Sequence, residues 1–264
     1  MNTALITGAS SGIGLALARE LAAHGHALVL VARDREKLDL AAKQLELQYG
    51  VQVSVYTKDL SEPGAAEQLW ADVSGRHAVD VLINNAGVGL YGDFHEQPVD
   101  ELTRMQTLNV VALTTLTRLV LPGLVARGRG RILNVASIVG YQPGGPGMAV
   151  YYATKAYVLS FTKGLAKELS GTGVSVTALC PGVTVSAFEE RAGASQTYLY
   201  RFVPQTKPDS VAKAGYRALM KGRLTVIPGF TAKLFAFSGE LPPRAIALFV
   251  NRWLLRRGKV MPAA

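Results

Sequence analysis

Tyr151 and Lys155 stand four residues apart at the head of an apolar-periodic run, Tyr151 to Leu169, that reads as a helix. That spacing sets both side chains on one face, one turn apart. A phenol ordinarily titrates at roughly pH 10, and an ammonium one turn away favours its phenolate. The pair could therefore exchange a proton with a carbonyl oxygen near neutral pH. Tyr152 lacks such a partner, because the residue four beyond it is Ala156. A Tyr/Lys pair is also a common surface pair, so its meaning depends on its company. Upstream, Ser137 ends an apolar run, Arg131 to Ala136, and offers a hydroxyl at the edge where open α/β sheets bind ligands. Asn109 lies among apolar neighbours in a helical pattern from about Val99 to Arg127; there its amide either ties the helix to a strand or holds a water.

The elements that must carry these residues begin at the N-terminus. Thr3 to Thr7 reads as a buried strand, and a helical pattern runs from Ile13 to Ala23. Between them lies Gly8-Ala9-Ser10-Ser11-Gly12-Ile13-Gly14, whose glycines allow a sharp turn and close approach of a pyrophosphate to the helix N-terminus. A side chain at Gly12 or Gly14 is expected to occupy the dinucleotide's place. The spacing is G-x-x-x-G-x-G, which differs from the commoner G-x-G-x-x-G. A second strand, His26 to Ala32, delivers Arg33 where an acidic residue would bind the free 2′-hydroxyl of NAD; an arginine instead pairs with the 2′-phosphate of NADP. A helix over Arg35 to Tyr49 and a strand over Val51 to Tyr56 follow. Asp59-Leu60 then lies where an adenine ring would sit, Asp59 either accepting the adenine amine or capping the helix that includes Ala65 to Val73. The strand Asp80 to Ile83 runs into Asn84-Asn85-Ala86-Gly87, small and turn-prone residues suited to close backbone approach. Val174 to Leu179 is a further strand, after which Pro181-Gly182 turns the chain towards Ser186.

Taken in this order, the sequence resembles the short-chain dehydrogenase/reductase family in its NADP-preferring form, densely from Met1 to about Ala187. The resemblance implies a Rossmann-like α/β fold, a doubly wound parallel sheet of about seven strands if Leu224 to Ile227 adds the last. It also implies that NADP(H) is the cofactor, bound by Gly8, Ser10, Ser11, Gly12, Ile13, Gly14, Arg33, Asp59, Leu60, Asn85, Ala86, Gly87, Tyr151, Lys155, Pro181, Gly182 and Ser186. It assigns Tyr151 as general acid in reduction, Ser137 as hydrogen-bond donor to the substrate oxygen, Lys155 as holder of the nicotinamide ribose, and Asn109 as holder of a water linking Lys155 to solvent. No metal is called for. Ser137 and Tyr151 are fourteen positions apart, one more than is usual in the family, and the surplus falls in Gly144-Gly145-Pro146-Gly147, beside the expected substrate pocket. Ser186 stands where the family often has threonine.

The whole chain, residues 1–264, reads as one domain, since no linker, repeat or low-complexity tract divides it. It opens directly into the first strand, so the expected location is cytoplasmic, with peripheral membrane contact as an option. Cys180 is the one cysteine and reads as a small buried residue. Residues 187–206 form the expected lid and offer Phe188, Tyr198, Tyr200 and Phe202, which suit an apolar carbonyl or alcohol substrate, with at least two of the four in the lid role. Charge is uneven: residues 1–200 hold 16 basic against 17 acidic side chains, residues 201–264 hold 12 against 2. No nucleic-acid motif accompanies this excess. In the basic extension, about residues 230–264, a helical pattern from Arg244 to Arg257 gathers Ile246, Phe249, Val250, Trp253 and Leu254 on one face, with Arg244, Asn251 and Arg252 away from it and Leu248 and Leu255 interrupting the polar side. Three roles fit: a packed terminal helix or subunit contact within a homodimer or homotetramer, a peripheral membrane contact, or a dock for an acidic acyl carrier. The functional expectation is an NADPH-dependent reductase of a ketone, aldehyde or 3-oxoacyl group. The alternatives are a non-catalytic NADP-binding regulator and a membrane-surface lipid or acyl reductase.

Overall fold

Short runs rich in valine, leucine and isoleucine, buried on both sides, are what a parallel sheet covered by helices requires. The computed structural model describes residues 2–240 and 243–256. Among them, seven strands form one sheet: β1 (Thr3–Thr7), β2 (Ala27–Ala32), β3 (Val53–Thr57), β4 (Val79–Asn84), β5 (Gly130–Val135), β6 (Val174–Leu179) and β7 (Thr225–Val226). All neighbours are parallel, in the order β3-β2-β1-β4-β5-β6-β7. The order reverses between β1 and β4, which opens a crevice beyond their C-terminal ends.

The helices are α1 (Gly12–Ala23), α2 (Arg35–Tyr49), α3 (Ala65–Ser74), α4 (Val99–Gln106), α5 (Leu113–Ala126), α6 (Ala149–Glu168), α7 (Phe188–Arg191), α8 (Tyr198–Phe202), α9 (Pro208–Met220), α10 (Phe230–Glu240) and α11 (Arg244–Leu254). One sheet face packs on α1, α2 and α9 through Leu17, Leu21, Leu38, Val211 and Leu219. The other packs on α3, α5 and α6 through Leu69, Leu116, Val120, Leu124 and Leu165. Each of these buried leucines contributes roughly 2 kcal/mol of transfer free energy. Val99–Ala126 is long and apolar enough to cross a membrane by length and composition alone, yet its α5 half is the layer packed on that second face.

Most expected elements lie within two residues of their predicted bounds, and three differ in kind. The pattern from Val99 to Arg127 is not one regular helix: a π-helical stretch, Thr107–Ala112, separates α4 from α5 and contains Asn109. Asp59 does not cap α3, whose N-cap is Gly64; its carboxylate instead accepts from the Ser61 N–H (3.0 Å) and hydroxyl (2.7 Å). The third is α11, whose role stood open: of its expected apolar face only Leu254 is partly buried against the core. Ala247, Asn251 and Leu255 face inward, while Ile246, Phe249, Val250 and Trp253 face solvent. On the inner side Asn251 meets two oxygens: its Nδ2 donates to the Gly144 carbonyl at 2.8 Å and to Gln142 Oε1 at 3.3 Å. The last part of the expected extension, residues 257–264 with Arg257 and Lys259, lies outside the described residues.

Candidate active site

The cleft over the sheet's switch point has a volume of about 660 Å³. Its floor is the β1–α1 turn. Gly8 (φ +66°) and Gly12 (φ +56°) hold the left-handed conformation that glycine adopts without a Cβ clash. A Cβ built on Gly12 would meet only Ser186 Cβ, at 3.6 Å, and Gly12 lines the cleft. Gly14 is constrained otherwise. A Cβ there would lie 2.2 Å from the Gly8 carbonyl oxygen and 2.4 Å from Asn85 Nδ2, so it is the protein, and not a ligand, that excludes a side chain. Asn85 braces the turn from β4, its Nδ2 donating to the Thr7 (2.9 Å) and Gly8 (3.1 Å) carbonyls. Thr7 Oγ1 returns the brace by accepting from the Asn85 and Ala86 N–H groups, both at 3.0 Å. Asn84 points the other way, into the core, where it donates to Thr117 and Asn134.

At one end of the cleft stand Arg33, Lys37 and Lys58, with Asp59 and Leu60 beside them. Arg33 lies 3.7 Å from the Asp59 carboxylate, and Arg104 lies 3.0 Å from it. Burial alone would raise the Asp59 pKa; the Ser61 hydrogen bonds and the two guanidinium groups outweigh it and hold the carboxyl below its ordinary value. Asp34, which could have neutralised Arg33, instead caps α2 by accepting from the Lys37 N–H at 3.1 Å. Lys37 and Lys58 were not singled out from the sequence, although Lys37 falls one helical turn after Arg33.

At the other end, β5 delivers Ser137 and α6 delivers Tyr151 and Lys155. Lys155 Nζ donates to the Val135 carbonyl at 2.9 Å and stands 5.9 Å from the centre of the Tyr151 ring. Burial pushes the Lys155 ammonium down to about 8. The phenol departs from expectation. Burial drives the Tyr151 pKa well above its ordinary value, and the Ser137 hydroxyl draws it only part of the way back. Tyr151 thus holds its proton at neutral pH, the state a proton donor needs. Asn109 does tie its helix down: Oδ1 accepts from the Val88 N–H (3.0 Å), and Nδ2 donates to the Val88 carbonyl (2.9 Å) and to Thr154 Oγ1 (3.1 Å). A Cβ on Gly87 would lie 3.1 Å from Asn109 Oδ1 and 3.5 Å from Lys155 Nζ, so both groups approach the same glycine. Cys180 is buried and its thiol is pushed up to about 12, which suits packing and not nucleophilic attack.

The wall beside Tyr151 is apolar, built from Met148, Tyr152, Phe188, Leu199, Tyr200 and Phe235. Of the four expected lid aromatics, Phe188 (ring centre 5.3 Å from that of Tyr151) and Tyr200 face the cleft. Tyr198 turns instead to Trp253 (5.4 Å), and Phe202 is exposed. Met148 and Phe235 carried no motif and could not be found from the sequence. The loop with the extra residue packs on Tyr152, and α11 holds it in place through Asn251.

Residues 2–197 match the family model for short chain dehydrogenase. The chain belongs to the short-chain dehydrogenase family. Family membership makes it an oxidoreductase of the carbonyl–alcohol class and accounts for the order of its motifs along the sheet. It is 32% identical over 262 residues to "Ketoacyl reductase HetN" of Nostoc sp., covering 95% of this chain and 88% of that protein. It is 36% identical over 183 residues to "Very-long-chain 3-oxoacyl-CoA reductase" of Anas platyrhynchos, covering 67% of this chain and 58% of that longer protein. Among solved structures, the short-chain dehydrogenase from Sphingobium yanoikuyae in complex with NADPH is 37% identical, with a TM-score of 0.82 over 90% of this chain and 93% of the other.

Proposed function

We propose that this short-chain dehydrogenase is an NADPH-dependent reductase of a ketone or 3-oxoacyl group on an apolar substrate. One observation carries the reading: Ser137, Tyr151 and Lys155 converge on the apolar end of a cleft whose far end is basic. The cleft fits a dinucleotide phosphate, because Gly12 leaves its floor bare and Arg33, Lys37 and Lys58 offer cations for a 2′-phosphate. Gly8, Ser10, Ser11, Ile13, Asn85, Ala86, Gly87, Pro181, Gly182 and Ser186 would hold the rest. Bound there, NADPH supplies the hydride.

The chain's own residues manage the proton. The Ser137 and Tyr151 hydroxyls donate hydrogen bonds to the substrate oxygen, and negative charge building on that oxygen is met by both. The Tyr151 O–H bond breaks as its proton passes to that oxygen, which leaves a phenolate and an alcohol. Lys155, one turn along α6, stabilises the phenolate and holds the ribose. Asn109 would hold a water that links Lys155 to solvent and returns a proton to Tyr151; the approach of Asn109 Oδ1 and Lys155 Nζ to the same Gly87 supports this role. The ketoacyl and 3-oxoacyl-CoA reductases among the relatives support the substrate class, as do the aromatic walls. We read residues 1–264 as one domain with its lid at 187–206, cytoplasmic, homo-oligomeric, and able to meet a membrane or carrier through its basic end.

The test is Tyr151→Phe. The expected result is unchanged NADPH affinity with turnover lower by about 10² to 10⁴. Unchanged turnover would remove Tyr151 from the mechanism, and a wild type that binds NADPH but reduces no ketone or 3-oxoacyl thioester would favour a non-catalytic sensor.

A further inference from the structure

The outward faces of α10 and α11 carry more apolar surface than a solvated helix pair needs. On α10, Phe230 (81% exposed), Leu234 and Phe237 recur at helical spacing. On α11, Ile246, Phe249 (73%), Val250 and Trp253 (48%) do the same. The two helices pack on each other. Lys233, Arg252 and Arg256 are exposed among these side chains, and among the described residues no ion pair neutralises them. Inward, the same helices are fixed: Gln142 Nε2 donates to the Phe235 carbonyl at 2.6 Å, Asn251 is 1% exposed, and the Tyr91 hydroxyl donates to the Leu255 carbonyl at 2.6 Å. The apolar face therefore belongs to anchored helices and not to a fraying tail.

We infer that the outer face of α10–α11 docks on an anionic phospholipid bilayer. Charge argues for that occupant: Lys233, Arg252 and Arg256 are exposed on this face without an ion pair among the described residues, so a second copy would bring like charge to like. An acidic carrier protein would satisfy the cations but leave the row of bulky apolar side chains without use. A helix with an apolar face, flanking cations and a tryptophan suits the plane of a lipid interface. At 11 residues α11 is about 16 Å long, too short to cross a bilayer core of about 30 Å. The inner side of α10 lines the cleft through Phe235, so docking sets the pocket wall beside the lipid. This last step rests on the reductase reading, and it assigns as substrate a carbonyl compound that partitions into bilayers.

The experiment is co-sedimentation of the full chain with vesicles of phosphatidylcholine alone, or mixed with phosphatidylglycerol, alongside NADPH turnover on a water-soluble ketone. The wild type binds the anionic vesicles, more weakly as salt rises, and its tryptophan emission shifts to the blue. Ile246→Ser with Phe249→Ser, both exposed, lowers binding by about tenfold or more and leaves soluble-ketone turnover unchanged. Absence of wild-type binding, equal binding by the variant, or binding to an acidic acyl carrier protein in place of vesicles would overturn the inference. Vesicle binding with no turnover on any ketone would count against the reductase reading alone.

Discussion

Gly14→Ala isolates a constraint that glycine motifs conceal. The added Cβ would sit 2.2 Å from the Gly8 carbonyl oxygen, against ordinary contacts beyond 3 Å, so one of the two must move by about 1 Å. Neither is free: the Gly8 carbonyl accepts from Asn85 Nδ2 at 3.1 Å, and Gly14 lies inside α1. Overpacking of this kind costs about 3 to 4 kcal/mol, and replacing a helical glycine by alanine returns about 1. The net loss of about 2 to 3 kcal/mol corresponds to a fall in Tm of roughly 5 to 10 °C for a chain of this size. Thermal unfolding by circular dichroism without dinucleotide is the assay. Gly12→Ala is the contrast: its left-handed φ costs about 1 to 2 kcal/mol, and its chief effect is an NADPH affinity weaker by about a hundredfold. A Gly14→Ala protein melting within about 1 °C of the wild type would refute the argument from packing.

Two further outcomes are expected. Arg33→Ala should weaken NADPH by about tenfold to a hundredfold in fluorescence titrations and leave NADH nearly unchanged, Lys37 and Lys58 retaining part of the site; equal losses for both dinucleotides would remove the 2′-phosphate contact. Lys155 has its pKa lowered by burial to about 8 in the folded chain against 10.5 ordinarily, so the unfolded state binds more protons between those values. Its penalty on stability is full below pH 8, about 3 kcal/mol, and is relieved as pH rises towards 10.5. Urea unfolding of the wild type and Lys155→Met should therefore differ most at pH 7 and converge by about pH 10.5; a constant difference would contradict the burial argument.

The parallel sheet was legible because each strand is a short β-branched run closed by glycine, proline or a polar turn, and because Ser137, Tyr151 and Lys155 ride on such elements. Arg33 was legible for the same reason, at the end of β2. What could not be read depended on partners distant in sequence. Phe235 and Met148 reach the cleft by tertiary packing alone. The π-helical stretch around Asn109 has no local sequence signature; it leaves the amide aimed at Val88 and Thr154. The orientation of α11 stayed open because hydrophobic periodicity identifies an apolar side of a helix without saying what covers it. Its inner side is set by Asn251, whose amide meets the Gly144 and Gln142 oxygens. Depth of burial at Tyr151, which raises its phenol above the ordinary value, was likewise invisible in the sequence, whereas the nearness of Lys155 was not.

The attachment of α11 has a consequence for how specificity can change. Asn251 grips the loop before α6, the Leu255 carbonyl takes the Tyr91 hydroxyl from the loop after β4, and the Arg256 carbonyl takes the Tyr198 N–H at the start of α8. Residues 244–256 thus cross-link three separate segments, each close in sequence to a residue that lines the cleft: Met148, Gly89 and Leu199. In this chain the Gly144–Gly147 loop and α11 are tied together, so a change of length in the loop is expected to shift the helix with it. Conversely, exchanging both together would give a new pocket on an untouched set of Ser137, Tyr151 and Lys155.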